Sequence, residues 1–110
     1  MKITIFATLF LSIAVTGCQQ QVTEFDIDEV TIALEKSENI LGTYIEKLDS
    51  EFTTKDQRVK ILCRDYPHEY QTNYMPNLLK LSPGEYTEPM LMADLDITLD
   101  HYKKIDSIQC

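Results

Sequence analysis

The chain of 110 residues is acidic: 18 Asp and Glu side chains outnumber 10 Lys and Arg side chains, and the formal net charge at pH 7 is −8. This length allows one small domain. The negative balance argues against nucleic-acid binding, which requires a basic surface, and against electrostatic attraction to anionic lipid headgroups. We therefore expect no nucleic-acid partner, whereas a basic protein could be steered toward such a surface.

The first residues form a pattern typical of a secretory signal. Lys2 precedes a nearly continuous apolar run, residues 3–15, and the small residues Thr16 and Gly17 follow it. The run is shorter than the roughly 20 residues that a membrane-spanning helix requires. It matches the apolar region of a cleavable signal, so residues 1–17 are predicted to be removed.

Residues 15–18, Val-Thr-Gly-Cys, resemble the lipobox of bacterial lipoproteins. The resemblance implies that cleavage follows Gly17, that the Cys18 Sγ is diacylated and that its new α-amine is acylated. Each buried methylene contributes about 0.8 kcal/mol, so three acyl chains would make anchoring effectively permanent. Gln19 stands where an aspartate would imply retention at the inner membrane. The resemblance therefore implies an outer-membrane lipoprotein, which we place on the periplasmic side, with residues 18–25 as a short tether.

With Cys18 assigned to lipid, two cysteines remain, Cys63 and Cys110. Exported proteins fold in an oxidising compartment, where a leftover pair is most simply a disulfide. Closing a loop of about 48 residues would stabilise the domain by about 4 kcal/mol in the chain-entropy treatment. Two cysteines without nearby CxxC or clustered histidines offer too few ligands for a metal, and we expect no metal and no other cofactor.

Both ends of the domain show apolar residues at helical spacing, with charged residues on the opposite faces. A first helix is predicted to begin near Asp26, where Glu29 would complete a capping box, and a last helix near Thr87. The predicted buried stripe of the first helix is Val30, Leu34, Leu41, Ile45 and Leu48. That of the last helix is Leu91, Leu95, Leu99, Tyr102 and Ile105.

A second helix is predicted in the middle of the chain, capped by Thr53 or Thr54 and carrying Cys63 on its buried face. Pro67 is predicted to end this helix or to open the next, because proline lacks an N–H and collides with the preceding turn. A short helix over about 68–74, a bend at Pro76 and one more helical turn would follow.

No segment shows the alternation of a strand, so the predicted fold class is all-α. The prediction is a small bundle of three to four helices over residues 26–110, stapled by a disulfide between Cys63 and Cys110.

Two short patterns superficially resemble metal sites. Residues 94–100, DLDITLD, match the opening of a calcium loop, but Leu99 replaces its glycine and Ile105 its bidentate glutamate. His68-Glu69 matches only half of a zinc-protease helix. Signatures of serine or cysteine nucleophiles and of glycine-rich phosphate loops do not occur. We therefore predict a protein that is not an enzyme, with no catalytic and no metal-binding residues.

Tyr66, Tyr70 and Tyr74 are spaced by four, so one helical face could carry all three if Pro67 does not interrupt it. Together with Met75 and Tyr86 they are the candidate partner-binding residues, because Tyr and Met are enriched in interface cores. The alternative is that these tyrosines close the rim of a small bundle with their hydroxyls in water.

Three hypotheses for function follow. The first is a non-enzymatic, membrane-anchored adaptor that binds another envelope protein, since the chain is similar in gross plan to the pilotins of secretion systems. That likeness covers the lipidated cysteine, the short tether and a helical domain with one disulfide, and it implies no binding residues. The second is an acidic inhibitor or exclusion lipoprotein that captures a basic protein. The third is a purely structural envelope component.

Overall fold

The computed structural model describes residues 26–110, which form three helices. These are α1, Ile27–Asp49; α2, residues 55–81; and α3, Glu88–Asp106. No strand occurs in residues 26–110, and the all-α prediction is confirmed. The predicted signal peptide, Cys18 and the tether lie outside the described residues.

Polar side chains cap the three helices at the predicted positions, Asp26, Thr54 and Thr87. Each side-chain oxygen accepts a backbone N–H of the first turn, at 3.0, 3.1 and 3.3 Å respectively. The capping box forms at Thr54, whose own N–H donates to Gln57 Oε1 at 3.0 Å. At Asp26 the predicted box with Glu29 does not form, because the carboxylate accepts from the N–H only two residues ahead.

Helical backbone continues through both prolines: the alternative in which Pro67 ends the helix is wrong, and residues 75–81 continue α2 across Pro76. A π-helical stretch directly precedes the residue before each proline, first at Ile61–Asp65 and then at Tyr70–Tyr74. The N–H groups of Tyr66 and Met75 accordingly donate to carbonyls five residues back. A proline ring collides with the carbonyl four residues before it in an α-helix, and the wider π turn relieves that collision.

α2 is the central helix of an antiparallel, three-helix arrangement. α1 packs along its second half, and α3 runs back along it from residues 75–81 to residues 61–65. The C-terminal half of α3 also reaches α1, where the Tyr102 hydroxyl donates to Asp49 Oδ1 at 2.9 Å. The main core draws on all three helices and comprises Leu41, Leu48, Ile61, Leu62, Tyr66, Tyr70, Met75, Leu91, Leu95, Leu99 and Ile108.

The chain reverses after α3 through a left-handed residue, Ser107, with φ 56°. The Ile108 N–H donates to Lys103 O at 2.8 Å and the Ser107 N–H to Lys104 O at 3.4 Å, which is the Schellman pattern. The reversal buries Ile108 in the core, in place of Ile105, which was predicted to be buried and is 63% exposed.

The same reversal brings Cys110 to α2. Its Cα lies 5.4 Å from that of Cys63, and the two cysteines form a disulfide, as predicted. Cys63 is half-buried on α2 and Cys110 is exposed. The bridge therefore ties the segment after α3 to the middle of the domain.

Arg58 joins the ends of α1 and α3. Its Nη1 donates to Leu48 O at 2.6 Å and to Asp106 Oδ2 at 3.2 Å, its Nε donates to Thr53 O at 3.1 Å, and its Nη2 donates to Ser50 O. The guanidinium thus satisfies carbonyls at the end of α1 that have no partner within the helix. The arginine and aspartate side chains are 14% and 16% exposed, so solvent screens this ion pair only weakly.

We predict that Arg58→Met destabilises the domain more than Asp106→Asn does. The methionine removes every donor and leaves the carbonyls of Leu48, Ser50 and Thr53 without this partner, whereas asparagine removes only one charge. The expected losses in the free energy of unfolding are about 3 kcal/mol and about 1 kcal/mol. Urea unfolding with the disulfide intact measures both. Equal losses would show that the ion pair, not the carbonyl bonds, dominates.

We predict that Ser107→Gly stabilises the domain by about 1 kcal/mol. The left-handed conformation costs roughly that free energy for a residue with a Cβ, and glycine adopts it without this cost. Ser82, which follows α2 with φ −134°, is the matched control. Ser82→Gly should leave stability unchanged or reduce it. Thermal unfolding of both variants measures the difference, and equal shifts would contradict the assignment to backbone conformation.

Candidate functional site

The predicted tyrosine row forms. Tyr66, Tyr70 and Tyr74 share one side of α2, and Tyr44 of α1 extends the row. The ring centroids are 6.4 Å apart for Tyr44 and Tyr66, 6.3 Å for Tyr66 and Tyr70, and 4.9 Å for Tyr70 and Tyr74. Because α2 does not break at Pro67, the spacing of four keeps the rings in contact along the helix.

Most of the predicted partner-binding residues lie in the core. Tyr66, Tyr70 and Met75 are 8%, 6% and 7% exposed. The Tyr70 hydroxyl donates to Leu91 O at 2.9 Å, so this tyrosine joins α2 to α3 and does not project into water. The prediction of an accessible aromatic patch is therefore corrected for these three residues. α2 packs against both other helices, and this side of α2 lies in the contact with them.

Only two of the five candidates, Tyr74 and Tyr86, remain partly exposed, and they lie at the edge of the core. Burial is the main reason that the pKa of Tyr74 is raised, and the charge of Glu38 on α1 raises it further, followed by Tyr86 and Asp94. The Tyr74 hydroxyl therefore lies among acidic groups from both neighbouring helices.

Burial also raises the pKa of Tyr70 well above its ordinary value of 10.0, with smaller contributions from Tyr74 and Asp94. The unfolded chain therefore loses this phenolic proton at a lower pH than the folded chain. Stability that is fully present below pH 10 is lost as the pH rises above that value.

We predict that Tyr70→Phe makes the loss of stability between about pH 9 and about pH 11 shallower, by up to about 1.4 kcal/mol per pH unit. At neutral pH the same variant should lose about 1 kcal/mol with the hydrogen bond to Leu91 O. Urea unfolding across the pH range measures both effects. Tyr102→Phe removes a more exposed phenol and should change the slope less; an equal change would contradict burial as the cause.

A cavity of about 320 Å³ lies between α1 and α2. Glu69 and Asn73 line it, with the Asn73 amide donating to Glu69 Oε1 at 3.0 Å. Ser37 also lines it and is 1% exposed, and its Oγ has no hydrogen-bond partner among the described residues. A serine hydroxyl becomes an activated nucleophile only when a base accepts a hydrogen bond from it, and no such bond from Ser37 forms within residues 26–110.

The acidic and imidazole groups singled out in the sequence are dispersed. Asp94, Asp96 and Asp100 lie exposed on α3, while His68 and His101 are exposed on different helices. Within residues 26–110, no group of three or more His, Cys, Asp or Glu side chains is placed to hold a metal ion. No helix in the described part of the chain is long and apolar enough to cross a membrane.

The sequence did not lead us to predict a row of exposed residues on α3. Met90, Ile97 and Ile105 are 52%, 68% and 63% exposed, and His101 lies between the two isoleucines. We call Met90, Ile97, His101 and Ile105 the outer face of α3. Ile97 lies two residues, or about 200° around the helix, from the buried Leu95 and Leu99. The sequence did contain one sign of this row: Met90 and Ile97 are seven residues apart and lie outside the buried stripe of α3.

Comparison with known protein families, with curated proteins and with solved structures finds no match to this chain.

Proposed function

We propose that the protein is a non-enzymatic, lipid-anchored adaptor that holds another protein at the bacterial outer membrane. The observation that carries the proposal is the outer face of α3, where three large apolar side chains are exposed in one row. Single exposed apolar residues are normal on a protein surface, but aligned ones are typical of a helix that accepts a partner.

The anchor is supported by the lipobox-like residues 15–18. A tether of seven residues, 19–25, reaches at most about 25 Å from the acylated Cys18. The N-terminal end of α1 would then lie near the membrane, and any protein bound to the domain would be held there too. Acyl chains are needed for this attachment, because the net charge of −8 opposes adsorption to anionic headgroups.

A second candidate function is the capture of a basic protein by an acidic inhibitor or exclusion lipoprotein. One observation favours it: residues 88–100 contain four carboxylates and no Lys or Arg. An inhibitor would abolish the activity of its target wherever the two meet. An adaptor would change the location of its partner and leave the partner's activity intact.

We predict that a clickable fatty-acid analogue labels the wild-type chain and does not label Cys18→Ser. The wild type should sediment with outer-membrane vesicles, and Cys18→Ser should keep its signal peptide and leave that fraction. Cys110→Ser, which loses the disulfide and keeps Cys18, is the control and should be labelled as the wild type is, per unit of protein. Labelling of Cys18→Ser would contradict the anchor.

Mild crosslinking of envelopes tests the adaptor role. A protein that crosslinks to the wild type should be found in the outer-membrane fraction with the wild type and leave it with Cys18→Ser, while its own activity is unchanged. Loss of that activity on binding would instead support the inhibitor.

A further inference from the structure

We propose that the outer face of α3 binds an amphipathic helix whose apolar stripe is bordered by Lys or Arg side chains. This inference rests on the proposed adaptor function and specifies its binding surface and the chemistry of its partner.

The apolar part of the surface has the spacing of a helix-binding face. Met90 and Ile97 are seven residues apart, and Ile97, His101 and Ile105 follow at intervals of four, so they form one row about 22 Å long. A shallow concavity of about 410 Å³ is lined by Ile97, His101 and Ile105, together with Asp100 and Lys104. A second helix laid beside α3 would place its own apolar side chains between those of this row.

The borders of the row are acidic. Asp96 and Asp100 border one side of the row, and Asp94 lies in line with the row between Met90 and Ile97; all three are exposed. Lys103 and Lys104 are the only Lys or Arg residues of α3, and both are in its last turn. Up to its last turn the outer face therefore presents exposed apolar side chains beside carboxylates and no Lys or Arg. Electrostatic complementarity favours a helix with basic borders.

The same charges disfavour two other occupants. A second copy of the chain carries the same net charge of −8 and the same carboxylates beside the same isoleucines. An anionic membrane repels the face for the same reason. A helix with basic borders covers the isoleucines and neutralises the aspartates together.

The surface can be altered without disturbing the core, because the buried leucines of α3 lie on its opposite side. Ile32 on α1 provides a matched control, since it is 65% exposed, against 68% for Ile97, and lies on another helix. Glu35 and Glu46, also exposed on α1, provide the control for the aspartates.

The direct test measures binding of two synthetic helical peptides to the full chain in nanodiscs of zwitterionic lipid, with empty nanodiscs subtracted. Each peptide has about 18 residues, or five turns, with leucines at intervals of three and four. One carries lysines along both borders of the leucine stripe and the other carries glutamates.

The lysine peptide should bind, and raising NaCl from about 50 mM to about 500 mM should weaken it severalfold. The double variant Ile97→Ser/Ile105→Ser should weaken binding at least about tenfold, and Ile32→Ser less than about twofold. Asp96→Asn/Asp100→Asn should weaken binding about threefold or more at low salt. Glu35→Gln/Glu46→Gln should have no effect.

Absence of binding by the lysine peptide, equal binding of the glutamate peptide, or equal losses from Ile32→Ser would each overturn the inference.

A second experiment, in envelopes, distinguishes failure of this inference from failure of the adaptor function. A photo-crosslinking residue is introduced at Ile97 or at Ile32. A partner crosslinked from Ile97 alone, through a helix with basic borders, supports the inference. Crosslinking only from other surfaces, or to a second copy from Ile97, overturns it and leaves the anchor intact. Absence of any crosslinked partner overturns the adaptor function itself.

Discussion

One side chain, Arg58, bonds α2 to the ends of both other helices. Its guanidinium binds one carbonyl in the last turn of α1, two carbonyls of the following connection and the carboxylate of Asp106 at the end of α3. Five donors in a fixed plane suit such a convergence, and a lysine, with a single ammonium, could not reach the same set of acceptors. By holding the end of α3 beside the start of α2, Arg58 also places the chain reversal at Ser107 where Cys110 meets Cys63.

The helical class, the caps and most of the core followed from the sequence, because these are local properties. A hydroxyl or carboxylate before an apolar stripe defines a helix start, and leucines at intervals of three, four and seven define the side that packs inward. Thr54, Thr87 and the three buried leucines of α3 were predicted on those grounds. The disulfide followed from the assignment of Cys18 to lipid, which left one pair.

The failures arose where long-range packing decided the outcome. A proline is a local signal for a break, but α2 is held on two sides by other helices, and a π turn before each proline preserves its continuity. The spacing of apolar residues likewise does not show how many other helices pack against a given helix. Tyr66 and Tyr70 therefore looked like an accessible patch, although a central helix buries more than one side. Ile105 looked buried, although the reversal after α3 supplies Ile108 to that part of the core.

The two π turns also determine which changes in chain length α2 can accept. Each turn holds one residue more than an α-helix would use for the same rise, so every later side chain is rotated by about 100° relative to a regular helix. Deleting one residue from Tyr70–Tyr74 would restore a regular turn and swing Met75 out of the core. Exposed side chains of α2 can thus be exchanged without altering this register, whereas an insertion or deletion within α2 would turn the later core residues away from their partners.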